Sequence, residues 1–430
     1  MDIENLISKE LKYQQQQLKL IPSENYVRPA VMKAVGSILM NKYAENYPGK
    51  RYYQGNKNMD EIETLCQERA LSLFGLSPEK WHVNVQAVLG SIGNLAVYNS
   101  VLEPGDRILA MHLPHGGHLS HGWKLEDGKN VSFSGKIYDS YFYKVDKETE
   151  TFDYDEIEKQ AQEVRPKLII SGGTAYPRDI DHSRLGEIAK SIGAYYLADI
   201  AHEAGLIASG LLNSPFPHAD FVTMTTRKTL RGPIGTLIFT RSELAEAIDR
   251  AVFPGLQGGP MINSIAGIAV ALKEASSSEF REYSKQVILN AKTLSEELSK
   301  LGFRVISGGT EKHLILVDIR AKQPDGLIAA ELLEATDIIT NKNTIPYETG
   351  TPWRPTGIRL GTPAVTTRGM REKEMPEIAS LIEETLNTTK FEPKTTRAEV
   401  REAITSIAEI NNIKDKVHKL TSRFPIYSEL

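Results

Sequence analysis

Between residues 166 and 253, short apolar runs alternate with helical periodicity, and no other feature of the chain restricts its fold so tightly. PKLIISGG is followed by HSRLGEIAKSIG, then by AYYLADIA, ADFVTMTT, GTLIFTR and SELAEAIDRAVF. Apolar runs without polar alternation read as strands covered on both faces, and the stretches of 3.6-residue periodicity supply the covering helices. An α/β chain built on a largely parallel sheet is therefore predicted. Ligands of such sheets sit beyond the carboxyl ends of the strands, so chemistry is sought in the polar residues that follow each run.

A helical stretch follows around 262 to 302, after which FRVISGG, HLILVDIR and DGLIAAELLEATD repeat the strand and helix signals of a smaller domain. NTTKFEPKTTRAEV is linker-like, and AEVREAITSIAEINNIKDKVHKLTSRF reads as one amphipathic helix. At 430 residues the chain exceeds the usual single domain. The expected division is an N-terminal arm over 1–30, a large domain over 31–275 and a small domain over 276–430. The net charge of -4 offers no footprint for nucleic acid or an anionic membrane, which leaves small molecules as expected partners. Cys66, the only cysteine, excludes an internal disulfide or a thiolate metal cluster and fits a reducing compartment. MDIENLISKELKYQQQQLKL is a polar amphipathic helix without a signal-peptide core, and no apolar run approaches the roughly 18 residues that cross a bilayer. A cytoplasmic location is expected.

Lys228, in TMTTRKTLRGP, follows the run ADFVTMT on the binding side of the sheet. Partial burial and the neighbouring Arg227 and Arg231 both disfavour its ammonium form, as a Schiff-base lysine requires; a surface loop lysine is the plain alternative. Asp199 ends AYYLADIA, with His202 three residues on. A carboxylate there calls for a cation or donors, and a pyridinium nitrogen would serve; a helix cap is the plain reading. In VLGSIGNLAVYNSVL, Gly90, Ser91 and Gly93 open a helical pattern whose amino end suits a phosphate. HLPHGGHLSHGW spaces His112, His115, His118 and His121 regularly, but Pro114 and Gly116–Gly117 forbid the helix that would align them. A loop presenting one histidine to an aromatic ring is expected there, and no metal. NKYAENYPGKRYYQGN gathers four tyrosines around Glu45 and Pro48–Gly49, a surface for a partner subunit, a flat ligand or plain packing. TPWRPTGIRLGTPAVTTRG offers Arg354, Arg359 and Arg368, one of which suits a substrate carboxylate.

The sequence resembles serine hydroxymethyltransferases from LIPSENY near residue 20 to the final RFPIY. SENYV, KYAENYPGKRYY, PHGGHLSHG, AYPRDIDH, KTLRGP, VFPGLQGGP, LVDIR, NKNTIP and GIRLGTPAVTTRG carry the resemblance, in the family's order. It implies a fold-type I pyridoxal-phosphate transferase, aspartate aminotransferase-like, with a mostly parallel seven-stranded sheet and a smaller α+β C-terminal domain. It also implies a homodimer with shared active sites, or a tetramer. Lys228 would form the Schiff base, Asp199 would pair with the ring nitrogen, His118 would stack on the ring, and His202 and Thr174 would stand near its phenolic oxygen. Gly90 and Ser91 would hold the phosphate, joined by Arg227 and, across the interface, by Tyr43 and the Gly258–Gly259 backbone. Arg359 would bind the amino-acid carboxylate, with Ser23 and Tyr53 close by, while Glu45 of the neighbouring subunit would serve as acid-base group. Leu113, Gly117 and Asn343 match positions that contact folate. The implied reaction moves the hydroxymethyl carbon of serine reversibly to tetrahydrofolate or a modified pterin, giving glycine.

Several site positions depart from the family pattern. Leu89 replaces a serine of the phosphate cup, and Arg227 replaces a histidine and suits a return contact to the same phosphate. Ile234 stands where an arginine is usual, Thr174 where serine is usual, and Ala87, Ile92 and Gly93 also differ. Two other readings are therefore carried: a folate-independent aldolase or transaldolase of threonine-like β-hydroxy amino acids, and a catalytically silent binding or regulatory paralogue.

Overall fold

The structure is a computed structural model that describes residues 2–125 and 127–429. Its largest sheet has seven strands in the order Trp81–Asn84, Thr236–Arg241, Phe221–Thr225, Tyr195–Asp199, Leu168–Ser171, Arg107–Met111 and Asp139–Tyr143. Leu168–Ser171 is buried along its whole length, and Phe221–Thr225 is buried up to its last residue, as strands sandwiched between helices must be. The parallel register pairs Ile170 with Leu197 and Asp199 with Thr223, bringing two neighbouring strands to their carboxyl ends together. One strand breaks the parallel pattern: Thr236–Arg241 runs antiparallel to both neighbours. No crossover helix is needed between Phe221–Thr225 and that strand, so residues 226–235 turn back directly over the sheet's binding edge. Lys228 lies in this return.

Helix His182–Ile192 shows how local chemistry sets the covering layer. The Asp181 carboxylate caps it by accepting from the Arg184 amide at 3.0 Å, Leu185, Ile188 and Ala189 are buried at helical spacing, and Gly193 ends it at φ 70°.

A second apolar core joins Leu18 and Leu20 to the helices and strands of the C-terminal part. There Asn341–Asn343, Gly357–Gly361, Leu314–Asp318 and Arg304–Val305 form an antiparallel sheet, and Leu18–Lys19 pairs in parallel with Ile338–Ile339.

Two stretches read as continuous helix are each divided. The 262–302 stretch is Ile262–Ala275 and Ser278–Lys300, the second restarted where Ser277 accepts from the Phe280 amide. The C-terminal helix is Arg397–Ile404 and Ala408–Ser422. Between them the Thr405 and Ser406 hydroxyls donate to the Glu402 and Ala403 carbonyls at 2.7 and 2.8 Å, a local alternative to helical bonding that ends the first helix.

Candidate active site

Lys228 and Asp199 face a common cleft of about 250 Å³ at the carboxyl edge of the large sheet. Leu89, Gly90 and Ser91 line it from the amino end of helix Gly90–Val101, His118 and Thr174 from two loops, and His202 and Arg227 from either side of the lysine. A Cβ at Gly90 would stand 2.8 Å from Thr225 Cγ2, so this helix end can approach the sheet closely only as glycine. The first amides of the helix have no helical acceptor, and the exposed Arg227 lines the same cleft.

The Lys228 amine is buried, and its pKa is pushed down to about 8. Burial is the main cause; Asp199 and Glu203 oppose it, while Arg359 and Arg227 add to it. Arg231, expected to repel the lysine as well, does not. Its backbone turns at φ 62°, and its guanidinium lies over the Tyr283 ring at 4.5 Å, facing away. The lysine's own backbone is held from both sides: its carbonyl accepts from Asn25 Nδ2 at 3.0 Å and from the Arg231 amide at 3.1 Å.

Asp199 accepts from Asn94 Nδ2 at 2.8 Å, from His121 Nε2 at 3.0 Å and from the Ala201 amide at 3.0 Å. Burial raises its pKa, but the His121 and Asn94 hydrogen bonds hold the carboxyl well below the usual carboxylate range. Asn94 is itself fixed by the Thr223 hydroxyl at 2.7 Å, and its amide also reaches Ser120 Oγ at 2.9 Å. The same serine lies 2.7 Å from His118 Nδ1, and its amide donates to that nitrogen. Burial and His121 push His118 down to about 4, so it is a neutral ring at pH 7.

His118, His121 and Asp199 have the grouping of a metal site. The carboxylate already accepts from His121 Nε2 and Asn94, and His118 Nδ1 is taken by Ser120, which reads as a carboxylate held ionised. His112 and His115 belong elsewhere, in a second cleft beneath Tyr347.

Arg359 is buried in strand Gly357–Gly361, and burial pushes its pKa down to about 10. Its Nε donates to Asn341 Oδ1 at 3.2 Å and its Nη1 to the Thr174 carbonyl. Among the described residues it has no carboxylate partner, although a buried guanidinium calls for one. Thr174 is pinned in turn, its hydroxyl donating to the Gly117 carbonyl at 3.0 Å. A Cβ at Gly117 would fall 2.2 Å from the Met111 carbonyl oxygen. Gly117→Ala is therefore expected to destabilise the protein by about 1–3 kcal/mol, and an unchanged urea midpoint would contradict the contact.

Other expected residues lie outside this cleft. Tyr43, Glu45 and Tyr53 gather at the surface, with Tyr43 donating to Glu45 Oε1 at 3.1 Å and stacking edge-on to Tyr53 at 5.0 Å. Gly258 and Gly259 back this second cluster. Ser23, Leu113 and Asn343 do not line the Lys228 cleft either. Leu89 does, half exposed, whereas the exposed Ile234 does not.

Sequence reasoning missed four neighbours. His121 holds Asp199; His313 stacks on His202 with Nε2 3.2 Å from His202 Nδ1; and Lys312 and Glu203 form a buried ion pair beside them. Only the PHGGHLSHG spacing pointed to any of these. The model of the family described as serine hydroxymethyltransferase matches residues 1–382.

Proposed function

Because this chain belongs to the serine hydroxymethyltransferase family, whose members are fold-type I pyridoxal-phosphate enzymes transferring one-carbon groups, we propose that it interconverts serine and glycine with a tetrahydrofolate-type pterin. One observation carries this reading. A lysine poised near neutrality and a carboxylate held ionised meet at one cleft over a helix amino end, and a buried guanidinium without a carboxylate bonds the carbonyl of Thr174 in its wall.

The residues present fit pyridoxal phosphate. The Gly90–Ser91 amides and Arg227 suit its phosphate, the neutral His118 ring suits its face, and Asp199 suits a protonated pyridine nitrogen. When bound, the cofactor supplies an electron sink for the carbanion left when serine loses its hydroxymethyl carbon.

The chain's own groups do the remainder. Arg359 grips the amino-acid carboxylate with the part of its fork that Thr174 and Asn341 leave free. Lys228, at a pKa of about 8 instead of 10.5, carries a few-hundred-fold larger fraction of free amine at pH 7 to bond the cofactor's aldehyde. Burial and the surrounding cations keep His202 neutral, able to hold a hydrogen bond without adding charge. Glu45, with Tyr43 and Tyr53, completes the site of a second copy of the chain, where its carboxylate handles the proton of the serine hydroxyl. The exposed aromatic surface around it, Tyr52 included, supports that pairing.

The test is serine turnover with and without tetrahydrofolate, set against threonine cleavage. Folate-dependent turnover is expected, and folate-indifferent cleavage of threonine would replace this reading with an aldolase. Capture of pyridoxal phosphate by the apoprotein, followed by absorbance, is expected to speed up as pH rises, with a midpoint near 8, because deprotonation frees the amine. A midpoint near 10.5 would mean that Lys228 is an ordinary exposed lysine.

A further inference from the structure

On the far side of the Lys228 turn, the structure places a second buried guanidinium without a partner. Arg231 is 6 % exposed, its Nε is buried without an acceptor, and its side chain makes no hydrogen bond or ion pair to any described residue. Other buried arginines of the chain are satisfied. Arg368 spends its fork on the carbonyls of Gln14, Gln15, Gln17, Thr421 and Phe424, and Arg51 pairs with Asp60 and Glu63. Arg359, the other buried guanidinium without a carboxylate among the described residues, belongs to the proposed substrate site.

Arg231 lines two adjoining clefts that also share Arg28. Arg69 and Lys273 line one of them and Arg371 the other. None of these five cations forms an ion pair within the described residues, although Glu274, Glu279 and Glu282 share the clefts. Helix Ser278–Lys300 starts at the same place, so the positive end of a 23-residue helix adds to the field.

The Tyr283 ring supports the guanidinium plane from below, at 4.5 Å, and the Tyr283 hydroxyl accepts from Asn25 Nδ2 at 2.7 Å. A stacked, backed and unpaired guanidinium is the arrangement that receives a planar or tetrahedral oxyanion edge-on.

We propose that the cleft between Arg231, Arg28 and Lys273 is a binding site for a small oxyanion, of phosphate-monoester or polycarboxylate type, separate from the Lys228 cleft. Arg231 makes the buried contact, while Arg28 and Lys273 close over the outer oxygens. The surrounding glutamates limit the site to compact anions, since a large one would meet Glu274 and Glu279, which line the same cleft.

Isothermal titration of the pyridoxal-phosphate-saturated protein with inorganic phosphate, and separately with citrate, tests the site; saturation with cofactor keeps phosphate out of the Gly90–Ser91 cradle. Saturable binding of at least one anion is expected below about 10 mM, a concentration that would fill even a millimolar site. Arg231→Met keeps the side chain's length over Tyr283 and is expected to weaken that binding at least about tenfold, the size of one lost charge-assisted contact. Phosphate saturating alone would identify a phosphate-type ligand, and citrate alone a carboxylate one. No saturable binding of either anion, or equal binding by Arg231→Met, would overturn the proposal. Should Arg231→Met fail to fold, the double variant Arg28→Gln/Lys273→Gln, on exposed side chains, takes its place with the same two outcomes.

Discussion

Lys228→Ala should lower serine turnover by roughly 10^4-fold or more, the scale on which enzymes lose activity when the group that bonds the reacting species is removed. The fold should survive. The lysine's carbonyl, not its amine, accepts from Asn25 and the Arg231 amide, and alanine leaves both contacts in place. The amine itself makes no hydrogen bond to a described residue and is buried against its own charge, so its removal relieves desolvation. Unfolding midpoints at or above wild type, together with lost turnover, are therefore expected. Retained turnover would remove the amine from the chemistry, and a collapsed fold would assign it a structural part that the contacts do not suggest.

A second large effect is expected one layer behind the cleft. Lys312 and Glu203 form an ion pair with almost no solvent exposure, and the Lys312 ammonium also lies 5.5 Å from the Tyr176 ring centre. Taking the partner from a buried charge costs about 3–5 kcal/mol, whereas replacing both partners with apolar groups of similar size is often neutral. Glu203→Leu should consequently lower stability by about that amount in urea unfolding, and adding Lys312→Met should restore most of it. A double variant no more stable than Glu203→Leu alone would show that the ion pair is needed for more than charge balance. The neighbouring His202–His313 pair gives such a need a location: its rings stack with centroids 5.4 Å apart, and Lys312 helps keep both uncharged.

The alternation of apolar runs and helical periodicity was enough to anticipate the central sheet, and the family match is consistent with it. Strand ends are local features, which is why Asp199 and Lys228 could be read as neighbours before their strands were seen side by side; the register from Asp199 to Thr223 then brings them together. Three kinds of feature escaped such reading. Arg231 was expected to act on Lys228 because they are three residues apart, but a left-handed backbone at Arg231 sends its side chain to Tyr283 instead. Helix ends at Ser277 and at Thr405–Ser406 are set by side-chain hydrogen bonds that interrupt an unbroken apolar periodicity. Finally, His313 meets His202 from 111 residues away, and Lys312 meets Glu203 from 109, pairings that only tertiary packing decides.

Tyr43, Glu45 and Tyr53 illustrate the opposite situation. Their sequence context pointed to an active site, and one chain places them together on an exposed surface instead of in its own Lys228 cleft. A second copy reconciles the two facts, which is why dimer formation belongs to the functional proposal.

The most direct measurement of the central claim is borohydride reduction of the protein mixed with pyridoxal phosphate, followed by mass spectrometry of its peptides. One pyridoxyl group per chain is expected, on Lys228 within TMTTRKTLRGP, with its attachment suppressed when the pH is brought well below 8. A cofactor bound to another lysine, or to none, would contradict it.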